Sequence, residues 1–244
     1  MRNVGIIMRR EFASYFATPI AYVFIFLFLI LSNSFAFYIG GLYERGQADL
    51  APFFTFQPWL YALLVSAISM KLWAEERNTG SIELLLTQPL TLWDAVLGKF
   101  LAAWLFTVIA IALTFPMWIT VNYLGRPDNG AICAAYIGSF LVAGGFLAIG
   151  SCMSALTRHQ VIAFIVTAVV CLASLLIGFI PVVQVLRDIV PQGVVDSIAS
   201  LSMYSHFASI QKGVIDIRDL LYFGMLIGLF LLATSITVEL RKAA

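Results

Sequence analysis

The sequence predicts an all-α polytopic membrane protein. It has six transmembrane helices, an N-terminal interfacial amphipathic helix, a short cytoplasmic helix between helices 2 and 3, and short outer helices between helices 5 and 6. Three observations carry this expectation. The 244 residues are 61% hydrophobic and only 11% charged, where a soluble domain carries roughly 25% charge. Charge-free apolar runs of spanning length recur along the chain. The charges collect in the breaks between those runs, the longest break of the first half being Glu75 to Lys99. The chain reads as one transmembrane domain over residues 1–244, without an internal repeat.

Taken in order, residues 1–17 are too charged to span. Val4, Ile7, Met8, Phe12, Tyr15 and Phe16 fall on one side of a helical wheel, and Arg2, Arg9 and Arg10 on the other. That pattern fits a helix lying on an anionic leaflet. Glu11 sits among the apolar residues, and two placements are open: a bond to a neighbouring helix, or extension to the headgroups. Thr18-Pro19 starts the first span, 19–40, with Thr18 at the N-cap. The run is too long for a signal peptide and lacks a small-x-small cleavage site, so it reads as a retained helix. Ser32, Asn33 and Ser34 inside it are expected to bond to neighbouring helices, as packing contacts or as contacts to a substrate.

The second span covers 52–73, with Pro58 near its outer end. Residues 75–91 follow as a polar segment. Thr91-Leu92-Trp93-Asp94 has the form of a capping box and opens the third span, 92–122, with Pro116 as a kink. Arg126 to Gly130 is a turn. The fourth span, 131–156, is rich in small residues that admit close helix contacts. The fifth covers 161–180. Residues 181–217 form the longest connection, with Val194, Ile198 and Leu201 at helical spacing, and the sixth span covers 220–240.

With the N-terminus in the cytoplasm, nine Lys and Arg residues fall inside and five outside. That bias predicts both termini in the cytoplasm, the 75–91 segment inside and the 181–217 loop outside.

The chemistry that is missing narrows the function. The sequence has no P-loop GxxxxGK[ST], no HExxH and no GxSxG motif. The centres of the spans carry no Asp, Glu, Lys, Arg or His, which argues against a proton- or ion-coupled carrier. Net charge is +1, so no global field points to nucleic acid. Cys133, Cys152 and Cys171 lie inside apolar runs and form neither a CxxC motif nor a disulfide framework.

What is present is the segment after the second span. Asn78-Thr79-Gly80 breaks the helix, Ser81 can cap a new one, Glu83 suits its first turn, Leu84 to Leu86 give it an apolar side, and Pro89 ends it. Such a helix either docks a soluble partner or lies on the membrane against its own chain.

The run Glu75 to Leu90, followed by Leu97-Gly98-Lys99-Phe100, resembles the signature of type-2 ATP-binding-cassette (ABC) exporter permeases. The family pattern falls on Glu76, Arg77, Gly80, Ser81, Glu83, Leu85, Leu86 and Pro89. The stretch Ser202 to Tyr222 is similar to the gliding-motility-type subgroup, through His206, Phe207, Gly213, Arg218 and Asp219. The resemblance covers essentially the whole chain. It implies a half-transporter in the bacterial inner membrane: a permease paired with a second permease chain, homo- or heterodimeric. Separate ABC ATPase subunits would bind the ATP and Mg, so this chain would hold no cofactor and would not be an enzyme by itself. The segment after Gly80 would be the coupling helix. Glu76 and Arg77 would form polar links to the N-terminal helix or to the ATPase, and Arg9, Arg10 and Glu11 are the residues singled out on that interfacial helix. Cargo would be amphiphilic or lipid-like, or the output would be force on a periplasmic or membrane accessory subunit. His206, near Asp216 and Asp219, leaves a second reading open, a membrane scaffold or outer-face enzyme with no ATPase. A lone His is a poor metal site.

Overall fold

A computed structural model of the chain describes residues 2–80, 91–179, 181–184, 193 and 200–240. The expected helix bearing Ser81, Glu83, Leu85, Leu86 and Pro89 lies outside the described residues, as do Arg187, Val194, Ile198, Arg241 and Lys242. The described residues are helical and contain no strand.

Helix α1 (Arg2–Ala17) is the amphipathic element. Its Arg9 and Arg10 are exposed and its Ile7 is buried. Helix α2 (Pro19–Ser34) continues as a π-helical turn, Phe35–Ile39. Thr18 is extended, as a cap should be, but its hydroxyl donates backward to the Tyr15 carbonyl at 3.1 Å and caps nothing. Ser32 and Asn33 both donate to the Leu29 carbonyl of their own helix, at 3.2 and 2.6 Å. For Ser32 and Asn33 a bond within their own helix thus replaces the expected one to a neighbouring helix, the usual alternative for such side chains.

The second span is not one helix to Trp73. Helix α3 (Ala51–Ser69), with Pro58 inside it, gives way to a turn and then to α4 (Ala74–Thr79). The third span also divides, into α5 (Leu92–Ala112) and α6 (Phe115–Leu124). Pro116 lies in the first turn of α6, where its missing N–H costs nothing. The expected capping box is present: the Asp94 N–H donates to Thr91 Oγ at 3.2 Å, and the Thr91 N–H to Asp94 Oδ2 at 3.3 Å. Helix α7 (Asn129–Leu156) is capped by Asp128. Helix α8 (Gln160–Leu176) is shorter than the expected 161–180 span. Helix α9 (Met203–Gln211) and α10 (Ile217–Leu240) complete the described chain.

Among the described residues five segments are long and apolar enough to cross a membrane: Ala21–Ile39, Ala51–Thr79, Leu92–Leu124, Asn129–Leu156 and Ile217–Leu240. The chain is a multi-pass membrane protein. Helix α8 is apolar but has only 17 residues.

Helix α7 is the central post, packed against α3, α5, α8, α9 and α10. Its small residues make this possible. A Cβ on Gly144 would collide with the Trp104 ring, and one on Gly150 with Ser69. One on Gly138 would press on Phe207 and Ile210. Helix α9 therefore does not lie on a surface. Its Met203, Phe207 and Ile210 are fully buried among α7, α3, α8 and α10.

Candidate functional site at the α3–α5 junction

The turn that ends α3 would leave backbone N–H groups unpaired inside the bundle, and α7 supplies the acceptors. Ser154 Oγ accepts from the Trp73 and Ala74 N–H groups, both at 3.1 Å, and donates to the Met70 carbonyl at 3.1 Å. The fully buried Trp73 donates its indole N–H to Ser151 Oγ at 3.1 Å. Ser151 and Ser154 stand one turn apart on α7 and face α3 together. Arg77 donates to the Ala155 carbonyl at 2.6 Å, near the C-terminus of α7, where a cation is favoured. These bonds fasten the approach to residues 81–90 onto the central helix.

A second linkage runs the other way. Lys99 Nζ lies 2.6 Å from Glu76 Oε1 and 3.7 Å from Glu11 Oε1, and 5.3 Å from the Trp73 ring centroid. The Lys99 side chain is 3% exposed, against 18% for Glu76 and 19% for Glu11. A lysine so buried stays charged only with partners, and two carboxylates and an aromatic face provide them. Arg10 donates to the same Glu11 oxygen at 3.0 Å. Three elements, α1, α4 and α5, thus meet at one ammonium group. Burial pushes the Tyr15 phenol up from its ordinary range, and the charges of Glu11 and Glu75 add to the shift. Of the two placements open for Glu11, the one found here faces a neighbouring helix, with Lys99 of α5 at 3.7 Å.

Gly80 closes α4 with φ 72° and ψ 2°, a left-handed conformation that favours glycine. It turns the chain out of α4 toward residue 81. Of the residues expected at this site, Glu76, Glu11 and Arg10 come together around Lys99, and Arg77 reaches α7 instead of α1. Arg9 is exposed beside them. Sequence reading missed Trp73, Ser151 and Ser154. The available signal was a serine pair spaced i, i+3 at the end of an apolar helix.

At the other end of the bundle, His206 lies between two oxygens. Nδ1 is 2.6 Å from Asp219 Oδ1, and Nε2 is 2.9 Å from the Ser200 carbonyl. The carbonyl can only accept, so Nε2 carries a hydrogen. The Tyr222 ring stacks on the imidazole at 4.0 Å, and its hydroxyl donates to the Leu201 carbonyl at 2.5 Å. Asp219 is buried, and its Oδ2 has no partner among the described residues. Phe207 packs on Gly138, Gly213 ends the α9 turn with φ 87°, and Arg218 is exposed. Both ring nitrogens are thus taken by a carboxylate and a carbonyl, the arrangement of a strut between α9 and α10. Among the described residues no group of three or more His, Cys, Asp or Glu side chains could hold a metal.

Among curated proteins nothing matches the chain. A family model described as ABC-2 family transporter protein matches residues 38–238, a stretch that runs from the end of the first span almost to the end of α10.

Proposed function

The chain belongs to the ABC-2 transporter family and is a membrane permease component of an ABC transporter, and on that premise we propose that it is one half of an exporter driven from the α1 face of the membrane. In this reading the α1 face is cytoplasmic, α8 completes six spans, and both termini lie on the cytoplasmic side of the bacterial inner membrane. The excess of Lys and Arg on that face supports the orientation. Helix α8 is about 26 Å long at 1.5 Å per residue, slightly under the roughly 30 Å of a hydrocarbon core. Both end residues of the α1–α4–α5 linkage, Glu11 and Glu76, then sit where a cytoplasmic ATPase can act.

The observation that carries the reading is the two-way fastening around residues 73–99. Residues 81–90 act as the coupling helix, with Ser81, Glu83, Leu85, Leu86 and Pro89 against the ATPase. Force on that helix enters α4 through Gly80. The Ser151, Ser154 and Ala155 bonds pass it to α7, and Lys99 passes it to α5 and α1. A second permease chain supplies the other half, and separate ATPase subunits bind ATP and Mg. The chain fits the gliding-motility-type subgroup through His206, Phe207, Gly213, Arg218 and Asp219, of which His206, Phe207 and Asp219 help hold α9 in place. The cargo is amphiphilic or lipid-like, or the output is force passed through α9 to a periplasmic or membrane accessory subunit.

The test is co-purification in mild detergent with ABC ATPase subunits from the cells that make this chain. Leu85→Asp is expected to lose the ATPase while the permease still inserts. Unchanged co-purification of that variant would overturn the coupling-helix assignment.

A further inference from the structure

A crevice of about 250 Å³ opens where α1 meets the first three spans. Its two ends differ in chemistry. The mouth carries Glu11, Glu75, Glu76, Lys71 and Lys99. The inner end passes Phe24, Ile68 and Phe106, and those three side chains also begin a second, apolar seam running along Phe28 and Leu64. Thr107 lines that seam, but its hydroxyl is spent on the Ala103 and Trp104 carbonyls of its own helix. The cleft therefore runs from charged to apolar along the bundle, starting at the level of the interfacial helix.

Two of the mouth charges are unspent. Lys99 is consumed by Glu76 and Glu11, but neither Lys71 nor Glu75 has an ion-pair partner among the described residues. One free cation and one free anion, four residues apart at a headgroup-level opening, match a zwitterion. We propose that the crevice binds one phosphatidylethanolamine molecule from the leaflet on which α1 lies. The phosphate pairs with Lys71, the primary ammonium with Glu75, and an acyl chain follows the Phe24, Ile68 and Phe106 seam. An anionic lipid fits worse, since the carboxylates at the mouth outnumber the lysines. A quaternary choline headgroup fits worse because it has no N–H to donate to Glu75. The bound lipid wedges between α1 and the spans, next to the Glu11–Lys99–Glu76 linkage, and so ties the position of α1 to the composition of the bilayer. The proposal rests on α1 lying at the membrane surface and not on the transport reading.

The experiment is native mass spectrometry of the full chain, stripped of lipid in detergent. It is titrated with phosphatidylethanolamine, phosphatidylcholine and phosphatidylglycerol of matched acyl chains. One phosphatidylethanolamine is expected to bind saturably, about tenfold tighter than either competitor, the worth of one charge-assisted hydrogen bond. Glu75→Gln should erase the preference over phosphatidylcholine, and Lys71→Ala should weaken both zwitterionic lipids together. Ala67→Trp, which fills the crevice wall, should remove saturable binding. If Ala67→Trp lowers the melting temperature instead, the two charge variants still decide. Equal binding of the three lipids, a preference for phosphatidylglycerol, or indifference to both charge variants would overturn the proposal.

Discussion

Lys99 Nζ and Glu76 Oε1 are 2.6 Å apart, and the Lys99 side chain is 3% exposed against 18% for Glu76, so this ion pair joins α5 to α4 with its ammonium largely withdrawn from water. Removing one member of such a pair is more damaging than never having had it. The survivor is left as a buried charge, at a cost of about 3–5 kcal/mol.

Glu76→Gln is therefore expected to lie at the low end of that range, near about 3 kcal/mol, because Glu11 remains 3.7 Å from Lys99. Lys99→Met combined with Glu76→Leu removes both charges and should recover most of the melting temperature. In the complex with the ATPase, the double variant should still lose stimulated turnover, since α1 and α4 no longer share a partner. Thermal unfolding in detergent and ATPase assay in lipid separate the two effects.

Gly98 stands one residue before Lys99 and sets how closely α1 approaches. A Cβ there would lie 2.7 Å from Ile7 Cγ2 and 2.8 Å from Ile7 Cβ. Ile7 is β-branched and stiff, so the helix has to move. Gly98→Ala should cost about 1–3 kcal/mol, the usual price of overpacking. Ile7→Ala in the same chain should restore part of it, and a melting-temperature cycle of the four variants measures the coupling.

Much of this was legible in the residues. The apolar runs, the capping box of Thr91 and Asp94 and the small-residue helix follow from composition and spacing, which local physics controls. The break after Ser69 was not legible, because Ser154 Oγ from a distant helix supplies the bonds that make it stable. The same holds for Arg77: its charge announced a polar contact, while the Ala155 carbonyl became available only when α3 and α7 packed side by side. His206 was visible as an isolated histidine, but its bond to Asp219 depends on α9 folding back onto α10.

Gly80 has its φ at 72°, and among the described residues nothing lies within 4 Å of a Cβ placed there. The constraint is thus backbone and not space. Gly80→Asn should be tolerated, since Asn visits this region readily, whereas Gly80→Val should cost about 1–2 kcal/mol locally. Because the effect is confined to the α4 terminus, global melting should barely change for either. Hydrogen exchange of the α4 amides is expected to rise in Gly80→Val and to stay near wild type in Gly80→Asn.

The His206–Asp219 contact can be told apart from chemistry at the same place by which member is removed. His206→Ala leaves the Asp219 carboxylate buried, with one oxygen already lacking a partner, and should cost about 3–5 kcal/mol. Asp219→Asn removes the carboxylate and offers an amide N–H to Nδ1 of the ring whose Nε2 carries the hydrogen, so its cost should be nearer about 1 kcal/mol. His206→Ala with Asp219→Leu removes both polar groups and should be more stable than His206→Ala alone. A reactive pair would lose its activity in every variant, with no such ordering in stability. A strut gives the ordering, and it should appear first in the amide protection of α9, because Met203, Phe207 and Ile210 stay buried only while α9 keeps its seat among α7, α3, α8 and α10.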